Sequence, residues 1–408
     1  MLALLLFAFL LAGIFVFLTQ IWCQSRLYGV EAHPRSQPTK RTSAAQRCNE
    51  DALRLIFELC SESTLASAGC VCQQWMIPAQ KELFSSIASS IPPRRSDALS
   101  WALIDAPRLR SYIRRVTIFV VDSDGLKRYS WLRMLPPYTL VSLELNGFPT
   151  AALHLELANL LLTSSSLSTL RRLVISRPAL GVPGVLEACC SSSFLEHLGV
   201  IFLGGPVTHS SSILPFKRNL SRLSLRGPDF VEEMSVLIRA CGASLRWLDV
   251  ELTHWPRSTG YTLLAAALRE VPQLEYLYLR WPESHPTPFL DGLSTLLPNL
   301  RVLDAGAHVY TATLFSNLPP MLEILRLKYT QLYSAALPND MVDYAYFPAE
   351  AAVAGLSAHS ALHTFTLSPS ECSFIEFPAL VTSRKALRCR IVTPDCVQAK
   401  TLDLLGEH

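Results

Sequence analysis

The chain has 408 residues, half of them hydrophobic and 17% charged, with a net charge of only +3. That balance fits a core-forming globular protein, excludes a weakly hydrophobic disordered chain, and argues against nucleic acid as a partner. With no phosphate-binding glycine loop, no Gly-x-Ser-x-Gly elbow, no His-Glu-x-x-His helix and ten dispersed histidines, the expectation is a chain that performs no catalysis and holds no metal or cofactor.

Residues 1–22 come first and carry no charge, running almost wholly apolar from Leu2 to Leu18. A helix of that length spans a bilayer core. Arg26, Arg35, Lys40, Arg41 and Arg47 follow against Glu31 alone, so the excess positive charge precedes Cys48. By the positive-inside tendency, a retained anchor would leave the following domains in the cytosol. A basic n-region and a small-x-small cleavage site are both missing. A cleaved signal, or a segment absent from the functional protein, remain alternatives; the rest would then be cytoplasmic or nuclear. Residues 23–47, with Pro34 and Pro38 among several Ser and Thr, read as a flexible basic tether.

Residues 48–91 read as a short helical domain. Leu53, Ile56, Phe57 and Cys60 fall at i, i+3, i+4 and i+7, the apolar stripe of an amphipathic helix. Leu65, Ala68, Cys72 and Trp75 repeat that spacing, which predicts a second helix. Ser61 to Thr64 supplies capping hydroxyls between the two, and Pro78 suits the start of a third. The order Leu-x-x-Ile-Phe, then Val-Cys-x-x-Trp, then Leu-Phe-x-x-Ile resembles an F-box of the fungal style over about 40 residues. The resemblance implies docking on a Skp-type adaptor, and through it a cullin complex, with Leu53, Ile56, Phe57, Val71 and Trp75 facing the adaptor. The chain departs from the family where Cys48 and Asn49 stand in place of Leu-Pro.

After a linker, residues 92–108, the motif Leu-x-x-Leu-x-(Leu, Ile or Val) recurs through residues 109–400, ahead of a tail at 401–408. Its copies open at Leu140, Leu170, Leu195, Leu220, Leu245, Leu274, Leu300, Leu322 and Leu362. Three successive spacings, from Leu170 to Leu245, are 25 residues each, the period of leucine-rich repeats. Ile113, Val116 and Ile118 read as a degenerate earlier copy, and Cys389 with Ile391 as a closing strand. The long gap before Leu362, with Tyr344, Tyr346 and Phe347, reads as an inserted loop. Three buried leucines cannot offset the entropy of ordering a whole repeat, so the copies must stack and share a core. Helices are expected over 229–241, 262–270, 289–297 and 349–358. The fold class is therefore α/β: an N-terminal hydrophobic helix, a short all-α domain and a curved leucine-rich-repeat solenoid.

Alternate strand residues of such a solenoid face a concave binding sheet. There Arg222 and Arg226, then Trp247, Asp249 and Glu251, then Tyr276, Tyr278 and Arg280 form a candidate surface for a protein cargo, since aromatic and arginine side chains dominate interface hot spots. Trp255, Trp281 and Asp304 lie close to it in sequence. The same aromatics would equally serve packing within the sheet. Eleven scattered cysteines outline no disulfide framework, Cys70-x-Cys72 lacks the second pair of a zinc site, and Asp122-Ser-Asp124-Gly125 reads as a turn. The function implied is the substrate-recognition subunit of a cullin-based ubiquitin ligase, non-catalytic itself. The alternative is a leucine-rich-repeat scaffold or adhesion protein with no ubiquitin role, for which glycan at Asn219 and disulfides would speak.

Overall fold

The computed structural model describes residues 49–89, 93–120, 127–147, 163–164, 169–176, 185, 189, 193–202, 220–228, 231–253, 258–280, 288–306, 309–329, 348–369 and 390–392. The apolar segment 1–22, the tether, Asp122 to Gly125, Asn219, Trp255, Trp281, the inserted loop and the tail lie outside them. Among the described residues no helix is long and apolar enough to cross a membrane. The chain divides into two compact units, Met1–Leu53 and Arg54–His408. In the first, the described residues are the opening turn of helix α1 (Glu50–Glu58).

In the second unit, α1 is followed by α2 (Glu62–Ala68) and α3 (Gln73–Ser85). Ser61 caps α2 as its composition suggests: its Oγ accepts from the Thr64 N–H at 3.3 Å. Two expectations change here. The second helix stops at Ala68, because Gly69 and the turn to Val71 intervene, so Cys72 and Trp75 belong to the next helix rather than extending its stripe. That next helix starts at Gln73, which puts Pro78 inside it and removes one backbone hydrogen bond from its second turn. Leu83 and Phe84 lie on α3, while Ile87 has already entered the first strand. The segment expected as a linker holds α4 (Pro93–Asp105) and a 3-10 turn (Pro107–Tyr112).

Among the described residues, twelve strands form one all-parallel sheet in strict chain order: β1 (Ser86–Ser89), β2 (Arg115–Val120), β3 (Ser142–Gly147), β4 (Arg172–Ser176), β5 (His197–Ile201), β6 (Arg222–Gly227), β7 (Trp247–Leu252), β8 (Tyr276–Arg280), β9 (Val302–Ala305), β10 (Ile324–Tyr329), β11 (Thr364–Pro369) and β12 (Arg390–Val392). One strand per repeat, each paired with the next, is the connectivity of a leucine-rich-repeat-like solenoid. The degenerate copy at Ile113 to Ile118 supplies β2, and β12 lies where a closing strand is expected.

Register explains the leucines. Ile87, Val116, Leu143, Leu173, Leu198, Leu223, Leu248, Leu277, Leu303, Leu325 and Phe365 occupy one level of eleven consecutive strands, and all are buried. The period-two alternation of a strand sends their neighbours to the other face. Between strands run α5 (Val231–Cys241), α6 (Ser258–Arg269), the single turns α7 (Leu293–Leu296) and α8 (Ala312–Ser316), and α9 (Ala349–Ala358). The helix expected over 289–297 shrinks to the single turn α7, with Leu290 and Leu297 buried in the turns on either side of it. Gly355 of α9 shows how closely the elements pack: a Cβ there would overlap the Phe315 carbonyl oxygen of α8.

A second regularity joins the strands just before they begin. One carbonyl accepts from two successive N–H groups of the next strand. The Arg246 carbonyl, for example, takes both Glu275 and Tyr276 at 2.9 Å, and the Glu275 carbonyl takes Arg301 and Val302 at 2.8 and 2.9 Å. Several neighbours in this series carry opposite charges, although Val141 and Ser221 interrupt it. Arg171 meets Glu196 at 3.1 Å, Arg246 meets Glu275 at 3.7 Å, and Arg301 meets Glu323 at 2.6 Å. Exposed pairs of this kind are screened by solvent, so they tune register more than they hold the sheet.

Candidate functional site

The helical segment is built from its N-cap. Asn49 Oδ1 accepts from the Ala52 N–H at 2.7 Å and its carbonyl from the Leu53 N–H at 3.1 Å. The position that departs from Leu-Pro is thus a capping asparagine, one of the best N-cap residues. The five residues expected at the adaptor face divide by environment. Leu53, the last residue of the first unit, is 1% exposed, and Phe57, in the second, is 2% exposed, so neither side chain lies open to solvent. Trp75 is half-buried and packs edge-on to Phe57, with ring centroids 5.7 Å apart and planes at 74°. Such aromatic pairs contribute about 0.5–1.5 kcal/mol beyond the area they bury. Ile56 and Val71 are exposed.

They are not alone. Leu55, Ile56, Leu59, Val71 and Ile77 are each between 40% and 90% exposed. These five are among thirteen exposed large apolar side chains of the described residues, yet they fall within 23 positions. Leu55, Ile56 and Leu59 share one face of α1 and the turn that ends it, by helical spacing. Apolar side chains exposed together on one helix face are a feature that interaction surfaces carry. Leu55, Leu59 and Ile77 are not on the stripe that sequence spacing selects; of that stripe Leu53 and Phe57 are buried, Cys60 is half-buried and Ile56 is exposed.

On the sheet, the eight cargo candidates all lie on the outward side of β6, β7 and β8 and form one cluster. Register sets Arg222, Trp247 and Tyr276 side by side, then Ser224, Asp249 and Tyr278, then Arg226, Glu251 and Arg280. Trp247 stacks on Tyr276 and on Tyr278, centroids 4.9 and 4.8 Å away with planes at 21° in each case. The Arg222 guanidinium carbon sits 5.2 Å from the Trp247 ring centre, a cation–π position. Arg226 reaches Asp249 at 3.9 Å and Glu251 at 3.4 Å, Arg280 reaches Glu251 at 3.6 Å, and Arg326 reaches Asp304 at 3.8 Å.

Burial dominates the electrostatics of the inner members. It pushes the Asp249 carboxyl above the usual carboxylate range, against the pull of Arg280 and Arg226, and the Asp304 carboxyl likewise against Arg326 and Arg280. Asp249 Oδ1 is fully buried with no hydrogen-bond partner among the described residues. Burial also raises the Tyr278 phenol. Next to the cluster, on β5, His197 Nε2 shares a 3.0 Å hydrogen bond with Ser224 Oγ. Burial, then the charges of Arg172 and Arg222, lower its pKa to about 4, so it is neutral at pH 7. Sequence spacing alone did not select His197, although the motif Leu-Glu-His-Leu places it at the same level as Arg222 and Trp247.

Five described cysteines, Cys60, Cys70, Cys72, Cys189 and Cys241, are free thiols. Among the described residues no group of three or more His, Cys, Asp or Glu side chains is gathered as a metal would require. No protein-family model matches the sequence, and no curated protein matches it either.

Proposed function

We propose that the chain is a substrate receptor of a cullin-based ubiquitin ligase: α1 to α3 dock a Skp-type adaptor, and the outward face of the sheet around β6 to β8 holds a protein cargo. Transfer of ubiquitin would belong to partners, and this chain's contribution would be proximity between a cargo lysine and the charged conjugating enzyme. The resemblance of residues 48–91 to an F-box supplies the class. The observation that carries it is the run of exposed apolar side chains from Leu55 to Ile77, which a chain without a partner would leave against water. On the cargo side, the support is the stacked Trp247, Tyr276 and Tyr278 with their arginines, residue types that anchor interfaces. Retention of residues 1–22 as a membrane anchor, with the other domains cytosolic, belongs to the same proposal.

The test is direct binding of the full chain to a purified Skp-type adaptor by calorimetry, beside Ile56→Asp and Val71→Asp. Both positions are exposed, so neither change disturbs the interior. Binding that the variants lose supports the receptor reading. A folded chain that ignores the adaptor leaves the repeat scaffold as the better account.

A further inference from the structure

Three outward positions of β4, β5 and β6 set two arginines on either side of a histidine, beside the aromatic stack. Register puts Arg172, His197 and Arg222 at one level of three adjacent strands, which spaces neighbouring backbones about 4.8 Å apart. The next outward level on the same strands carries Val174, Gly199 and Ser224, all small. A methyl group on Gly199 would lie 2.8 Å from Val174 Cγ2, so that level has no room for a larger side chain.

The charges around it are unevenly matched. Arg172 is 3.5 Å from Glu144 on β3, and Arg226 is engaged by Asp249 and Glu251. Arg222 has no carboxylate within ion-pair distance among the described residues; its recorded neighbour is the face of Trp247. A guanidinium laid on an indole keeps its edge donors available in a planar fork, the geometry that takes a carboxylate through two parallel hydrogen bonds. The imidazole between the two arginines is neutral and already tied to Ser224, so it presents no competing positive charge. Beyond Trp247, the rings of Tyr276 and Tyr278 extend an apolar surface that a small free anion would not use.

Resting on the receptor reading above, we infer that strands β4 to β8 bind an acidic peptide segment of the cargo, one carboxylate of which is held by Arg222 and Arg172 over His197 while a neighbouring apolar or aromatic side chain lies on Trp247 and Tyr276. Burial and then the Arg172 and Arg222 charges disfavour the imidazolium, and an arriving carboxylate offsets those charges, so binding and protonation of His197 are linked.

The probe is a fluorescent glutamate–tyrosine copolymer, titrated into the full chain and followed by anisotropy, with a lysine–tyrosine copolymer and inorganic phosphate in parallel arms. The glutamate copolymer binds, and Arg222→Ala weakens it by about tenfold or more, as loss of a charge-assisted contact does. Arg133→Ala, an exposed cation on a 3-10 turn and not on a strand, leaves affinity unchanged. With the copolymer bound, the His197 ring signal, identified by its loss in His197→Gln, titrates at higher pH than in the free protein. Equal binding of the lysine copolymer, equal weakening by Arg133→Ala, phosphate binding as tight as the glutamate copolymer, or an unmoved His197 titration would each overturn the inference. Adaptor binding is measured on the same preparations. A chain that binds the adaptor but not the copolymer refutes this inference alone, and one that binds the copolymer but not the adaptor refutes the ligase reading alone.

Discussion

His197 makes the stability of the sheet depend on pH in a direction that follows from its surroundings. Its folded-state pKa is about 4, lowered by burial and then by Arg172 and Arg222, against 6.5 for an unperturbed histidine. The folded protein therefore binds this proton less tightly than the unfolded chain does. The resulting stabilisation is complete above pH 6.5 and is lost as pH falls towards 4, where the unfolded chain takes a proton the native state refuses. That gap corresponds to about 3 kcal/mol. His197→Gln keeps a hydrogen-bonding group near Ser224 and has no charge to gain. The assay is urea unfolding of both proteins at pH 7.5 and pH 4, compared as a double difference. The wild type should lose about 3 kcal/mol more than the variant on acidification. Arg172→Gln and Arg222→Gln should each narrow the window by letting the folded imidazole protonate earlier. Parallel pH profiles for wild type and His197→Gln would refute the account of a buried neutral imidazole between two arginines.

Other consequences follow from packing and burial. Leu248→Ala removes a fully buried side chain from the continuous leucine level and should cost about 2–5 kcal/mol, read from the urea midpoint. Gly199→Ala should cost roughly 1–3 kcal/mol because its methyl meets Val174, a stiff branched side chain, and Val174→Ala in the same protein should recover part of the loss. Asp304 has a folded pKa raised by burial, so its contribution is most favourable below the unfolded carboxylate value and declines as pH rises through the folded one. Asp304→Asn should therefore gain relative to wild type between pH 3.5 and pH 7, measured by thermal melts. A wild type that gains relative to the variant over that range would show that Arg326 outweighs burial.

Much of the solenoid is legible because its code is local. Leu248 and Val250 are spaced by the strand's own alternation, and the 25-residue spacing repeats that code where the next strand must pair. The Arg–Glu alternation that joins repeats is equally present, in Leu-Arg-Trp-Leu, Leu-Glu-Tyr-Leu, Leu-Arg-Val-Leu and Leu-Glu-Ile-Leu, but it acquires meaning only when positions 22 to 29 residues apart become neighbours. The state of Asp249 was hidden for the same reason: its burial comes from side chains on adjoining strands, Tyr278 among them. In the helical segment, apolar spacing selected Leu53 and Phe57, which are buried, but also Ile56, which stays exposed with Leu55, Leu59 and Ile77 because nothing in the described residues covers them. The short α2 and the entry of Ile87 into the sheet depend on Gly69 and on pairing with Val116, a partner 29 positions away.

The most direct test of the central claim is hydrogen exchange of the full chain with and without a Skp-type adaptor, resolved by peptide. The receptor reading predicts slowed exchange over residues 50–85, where the exposed apolar side chains lie, and unchanged exchange across β6 to β8. Protection confined to the sheet, or no protection at saturating adaptor, would contradict it.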